Sequence, residues 1–194
     1  MRKRLAILVA LVVMTMTLAG CRPAAKPWDE TADRQNLANA VSAWVTGIEE
    51  YDIDAMVGDG VLAAGFKLTM KENETATPYT KDAARLLTEL EEDEENQRFF
   101  REERGYRIEL NYEWTIANIS PSVAKVVGTF EVEEICDGMN DPWLSDRGEM
   151  VIEFEKGSSA WKMTAMNINF EGGVATKAVR PRAIVGFGFY KLVP

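Results

Sequence analysis

The amino-acid sequence predicts an α+β domain: a curved antiparallel sheet of about four to six strands, with N-terminal helices packed on its concave face. Three observations predict it. Leu37, Val41, Trp44, Ile48 and Tyr51 recur at helical spacing and form one apolar stripe. Tyr106, Ile108, Leu110, Tyr112, Trp114 and Ile116 alternate with polar residues, the period of a strand buried on one face. Between Trp161 and Phe170 the alternation changes parity, from Trp161, Met163 and Ala165 to Met166, Ile168 and Phe170. A bulge near Thr164 to Met166 would account for the switch and bend the sheet.

The first twenty residues are a separate object. Arg2, Lys3 and Arg4 precede an apolar run of fourteen residues, Leu5 to Leu18. That order marks an export signal, and the run is shorter than the roughly 20 residues a membrane-spanning helix needs. Leu18-Ala19-Gly20-Cys21 follows directly and resembles the lipobox of bacterial lipoproteins: an aliphatic residue, two small ones, then the acylated cysteine. The resemblance implies that residues 1–20 are removed and that Cys21 carries the lipid. It places the protein outside the cytoplasm, on a bacterial membrane. Each buried acyl methylene contributes about 0.8 kcal/mol, so two or three chains hold such a protein almost permanently.

Residues 21–28 read as a tether, because Pro23 and Pro27 resist helix. Residues 29–171 form the expected domain, and residues 172–194 a tail with Lys177, Arg180, Arg182 and Lys191 but no acid. The tail reads as an added edge strand or a loosely packed terminus, or else as a contact surface for anionic lipid or wall polymer. Without the three basic residues of the leader, 19 Lys and Arg face 31 Asp and Glu, a charge of about −12 at reference ionisation. That balance argues against nucleic acid as a partner. Membrane attachment is therefore assigned to the lipid on Cys21.

Within the domain, Asp52 offers an N-cap for a short helix over Ile53 to Val57, which Gly58-Asp59-Gly60 would stop. Val61 to Met70 is apolar and alternates at its end, and the turn residues Asn73 to Pro78 follow, which together read as a hairpin or an irregular crossing. Thr80 is placed as the cap of a third helix carrying Ala83, Leu86, Leu87 and Leu90, and Glu91 to Glu95 as its solvated continuation. Four long antiparallel strands follow. The first starts at Tyr106, the second bears Val126, Phe130 and Val132, the third Met150, Ile152 and Phe154, and the fourth starts at Trp161.

This element order resembles the cone-shaped NTF2-like (SnoaL-like) fold over roughly residues 30 to 170. The resemblance rests on the first helix with Trp44, the junction Tyr51-Asp-Ile-Asp-Ala-Met56, and the strand meander ending in Ser159-Ala-Trp-Lys-Met163. It is a match of element order without a signature motif. It implies a cavity where an enzyme of this fold would keep a carboxylate beside a tyrosine or histidine.

The chain has no histidine, which removes Ser-His-Asp and Cys-His catalysis and most transition-metal sites. No phosphate-binding glycine loop or CxxC pair supports a cofactor. Trp44, Tyr51, Tyr112, Trp114 and Trp161 fall on inward faces, where they either fill the core or line a pocket for a small apolar molecule. Asp52 and Asp54 would serve an isomerase, dehydratase or hydrolase only if buried, and capping gives them an ordinary role. Trp143, in the acid-bearing loop Asp137 to Asp146, is an expected contact residue, and the loop lacks EF-hand calcium spacing. Cys136, flanked by acids, reads as a small side chain at a strand end. No catalytic or metal set is assigned. The expected function is a non-catalytic domain binding an envelope protein, a wall component or a small apolar ligand, with the enzyme as alternative.

Overall fold

The computed structural model describes residues 27–72, 75–138, 140–158 and 160–171. The leader, Cys21 and the tail 172–194 lie outside the described residues. Helix α1 (Glu30–Glu50) starts where the Asp29 carboxylate accepts the Ala32 N–H at 3.0 Å. It stops at Tyr51, a non-glycine residue in the left-handed region (φ 58°, ψ 42°) whose N–H turns back to the Gly47 and Ile48 carbonyls. Its stripe Leu37, Val41, Trp44 and Ile48 is buried, as the spacing predicts. Helix α2 (Ile53–Val57) is capped by Asp52, which accepts from the Ala55 N–H.

Strands β1 (Leu62–Lys71) and β2 (Tyr79–Asp82) form an antiparallel pair that leads into helix α3 (Ala83–Arg104). The cap of α3 is Asp82 and not Thr80, whose place is in the ladder opposite Thr69. Extended pairing holds the chain for two residues beyond Thr80, so the helix begins later than propensity alone suggests. The helix continues through Glu91 to Glu95 and ends with Arg101 and Arg104 in its last turn, where cations suit the helix dipole.

The meander β3 (Arg107–Ile119), β4 (Val123–Ile135), β5 (Trp143–Lys156) and β6 (Trp161–Phe170) completes, among the described residues, a six-stranded sheet ordered β2-β1-β6-β5-β4-β3. One pair departs from the expected antiparallel sheet: β1 lies parallel to β6. After β2 the chain passes through α3 to the far edge, and the meander then returns β6 to the side of β1 in the same direction. The sheet is therefore mixed.

Thr164 is the bulge residue. Glu153 pairs with Ala165 and Phe154 with Met163, so Thr164 has no partner on β5, and its hydroxyl donates to the Glu153 carbonyl at 3.2 Å. Two glycines let the strands approach closely. A Cβ on Gly128 would stand 2.2 Å from the Glu113 carbonyl oxygen, and one on Gly148 2.1 Å from that of Asn169. The helices cover one face of the sheet. Among the described residues, Trp44 on α1 and Phe66, Phe130 and Phe154 on the sheet are the largest fully buried side chains.

Candidate functional site

The inward face divides into a filled half and a half-covered half. Trp44 and Trp161 are buried, at 1% and 3% exposure, and belong to the central cluster with Leu37, Met163 and Phe154. Tyr51, Tyr112 and Trp114 are half-buried and pack against that cluster from its margin. The five residues thus share one face without converging on one point. Two are core, and three flank it.

Both tyrosine hydroxyls are engaged. Tyr51 donates to the Leu90 carbonyl at 3.0 Å, which pins the end of α1 to α3. Tyr112 donates to the Met150 carbonyl at 3.3 Å, reaching from β3 over β4 to β5. The side-chain-free position of Gly128, the Cα partner of both Trp114 and Met150, lies between them. Burial pushes both phenols well above their ordinary ionisation range, and around Tyr51 the nearby Asp93 and Glu94 add to it. Each tyrosine is a hydrogen-bond donor at neutral pH and not a base.

Arg101 braces the same corner. Its Nη1 donates to the Glu49 carbonyl at 2.8 Å, and its guanidinium lies 5.9 Å from the centre of the Tyr51 ring. Burial lowers its proton affinity. The Glu49 carboxylate meanwhile accepts the Leu110 N–H at 3.0 Å, covering part of the edge strand β3.

Asp52 and Asp54 are both exposed. Asp52 caps α2 and Asp54 sits in its first turn, so neither reaches the concave face as a proton-transfer group would need to. On the strands, Glu134 and Asp146 do turn inward. Glu134 is 7% exposed and Asp146 is 3% exposed. Glu134 continues the inward parity of Val126, Phe130 and Val132, and Asp146 that of Met150, Ile152 and Phe154. That parity is readable in the sequence.

Ser145 explains the local geometry. It is skipped in the ladder, since Val132 pairs with Asp146 and Glu133 with Leu144, and its hydroxyl donates to the Val132 carbonyl at 3.2 Å. Trp143 lies in a strand and not in the loop: it opens β5 opposite Glu134 and is half-buried, because pairing with β4 begins before the loop's acids have ended. Cys136 is half-buried just beyond β4 and packs against the core.

On the opposite face of the sheet, Asn111, Glu113, Thr129, Glu131, Arg147 and Glu171 surround a cleft of about 260 Å³. Arg147 pairs with Glu171 at 2.8 Å there, and acid outnumbers base. Its lining is polar, in contrast to the apolar inner face.

No protein-family model matches the chain, and no curated protein does. Solved structures do. An NTF2-like protein with a cystatin-like fold from Novosphingobium aromaticivorans superposes with a TM-score of 0.53 at 11% identity, covering 73% of this chain and 84% of that one. The fold is NTF2-like. Other structures sharing it include the hexachlorocyclohexane dehydrochlorinase LinA-type3 from Novosphingobium barchaimii, with a TM-score of 0.51 at 13% identity over 73% of this chain and 88% of that one. A naphthalene 1,2-dioxygenase with indole in its active site gives 0.55 at 7% identity, over 75% and 81% of the two chains. The fold is thus shared with at least one enzyme, the dehydrochlorinase. At such identities the likeness carries the fold and no residue roles.

Proposed function

We propose that this protein is a lipid-anchored extracytoplasmic lipoprotein whose NTF2-like domain binds a partner without transforming it. The partner is an envelope protein, a wall component or a small apolar ligand. The anchoring rests on one observation, the run of basic residues, apolar segment and Leu18-Ala19-Gly20-Cys21. Among the described residues no helix is long and apolar enough to cross a membrane. Binding in preference to catalysis is supported by the dispersal of the reactive groups. The carboxylates of the α1–α2 junction face solvent, and the hydroxyls of Tyr51 and Tyr112 are held by backbone carbonyls.

The test is mass spectrometry of the mature N-terminus, together with a thermal-shift screen of apolar ligands and crosslinking in intact cells. Acylated Cys21 and a captured partner or a stabilising ligand are expected. An unmodified N-terminus would overturn the anchoring. Neither partner nor ligand would overturn the binding role.

A second reading has one observation in its favour. Glu134 and Asp146 stand buried on the inner wall of a cone that in the dehydrochlorinase belongs to an enzyme. An isomerase, dehydratase or hydrolase built here would use these acids in place of Asp52 or Asp54. Glu134→Gln and Asp146→Asn, assayed against any turnover found by substrate screening, separate the two readings. Turnover unaffected by both replacements would exclude these acids.

A further inference from the structure

The tether enters the domain at a fixed corner. Trp28, the second described residue, donates its indole N–H to Asp33 at 2.7 Å. Asp33 in turn receives the Lys156 ammonium, and the Lys156 backbone N–H donates to the Ser122 carbonyl at 2.8 Å. Three segments therefore meet at one rim: the start of α1, the β3–β4 turn at residues 120–122, and the β5–β6 turn beginning at Gly157. Val123 and Trp28, 52% and 40% exposed, are among the described residues two of the five exposed large hydrophobics, and Pro121 in the same turn as Val123 is exposed as well.

We infer that this rim rests on the lipid bilayer, with Trp28 and the hairpin tip Pro121 to Val123 in contact with the headgroup region. The inference rests on the anchoring of Cys21 proposed above. From Cys21 to Pro27 there are six Cα steps, which span at most about 22 Å when fully extended. Strands β3 and β4 have 13 residues each, a length of about 43 Å. The anchor therefore keeps this rim near the membrane and leaves the other end of the sheet beyond its reach when the domain stands upright.

The charge distribution selects the upright orientation. Lying on its outer face, the domain would press Glu113, Glu131, Glu149 and Glu153, all exposed, against the headgroups. The acidic run Glu91 to Glu95 follows Leu90, which is bonded to Tyr51 at the opposite end of α1 from Trp28. At the rim itself most charge is already matched. Asp33 holds Lys156, Glu30 pairs with Arg34 at 2.8 Å, and Asp29 caps α1, which leaves Glu155 exposed. The tether adds Arg22 and Lys26. A tryptophan beside small apolar and hydroxyl residues is a composition suited to the interface between water and hydrocarbon.

The test uses the full acylated protein in its own membrane. Val123 or, as control, Asp141 is replaced by the photo-crosslinking residue p-benzoylphenylalanine, both positions being exposed. Irradiation is followed by mass spectrometry of the crosslinked peptides and of the N-terminus. Lipid adducts several-fold more abundant at position 123 than at 141 are expected. Equal adducts, or protein adducts in place of lipid at position 123, on a chain whose Cys21 is acylated would overturn the rim's contact and leave the anchor standing. A Cys21 without acyl groups would overturn both.

Discussion

Lys156 donates to both carboxylate oxygens of Asp33, at 2.5 and 2.7 Å, joining the end of β5 to the first turns of α1 across 123 residues of sequence. The bond to Lys156, and after it that to Trp28, holds the Asp33 carboxyl below its ordinary value of 3.8. A depressed carboxyl contributes stability above the unfolded-state value, and that contribution disappears as pH falls through the folded one. Lys156→Met is expected to lower the urea midpoint at pH 7. The gap from the parent chain narrows below about pH 4, the reference carboxylate range. A gap that stays constant from neutral to strongly acid pH would show that the pair contributes nothing through its charge.

The buried pair Lys81–Glu89 makes a different prediction. Lys81 Nζ lies 2.5 Å from Glu89, with its side chain 2% exposed, and Arg85 reaches the same carboxylate at 2.9 Å. Burial lowers the proton affinity of Lys81 despite the partner. Glu89→Leu strands an inward-pointing ammonium on an edge strand and is expected to cost about 3–5 kcal/mol. Lys81→Met combined with Glu89→Leu should return close to the parent stability. Chemical denaturation of the two singles and the double reads the coupling directly.

Gly128→Ala tests the close approach of β3 and β4. The new methyl group would meet the Glu113 carbonyl at 2.2 Å and the Trp114 Cα at 2.7 Å, both backbone atoms with little room to yield. A loss of about 1–3 kcal/mol is expected, at the upper end because strands must separate. Gly60→Ala, whose Cβ would meet nothing within 4 Å, is the matched control and should shift the melting temperature little.

Asp82→Ala and Thr80→Ala distinguish the two candidate caps of α3. The Asp82 carboxylate accepts the Arg85 N–H at 2.8 Å, so its loss should cost about 1 kcal/mol. Thr80 is an exposed strand residue, and its replacement should change stability by less than about 0.5 kcal/mol. Equal losses would return the helix start to Thr80.

Periodicity made the long elements legible. The stripe through Leu37 and Trp44, the alternation from Tyr106, and the parity switch that placed a bulge near Thr164 all describe contacts local in sequence, and the structure contains each. The direction of the β1–β6 pair was not legible, because no local pattern records which distant strand a chain end will lie beside. Thr80 misled for a related reason: a four-residue strand carries little period of its own, and the ladder to Thr69 decides where the helix starts. At the candidate site, aromatic residues on a strand show which face is apolar but not how far the helices cover it. Hence Trp44 and Trp161 proved to be core while Tyr112 and Trp114 remained half-covered. Glu134 and Asp146 were legible by parity, which they share with Phe130 and Met150.

The position of β6 between β1 and β5 has a further consequence. The last strand of the domain to leave the ribosome occupies the middle of the sheet, so the earlier hairpin β1–β2 and the ribbon β3–β5 have no ladder between them until it arrives. A chain emerging N-terminus first cannot close this architecture partway through, since the joining piece is delivered last. A chain cut short before Trp161 would present two unpaired edges in place of a continuous sheet.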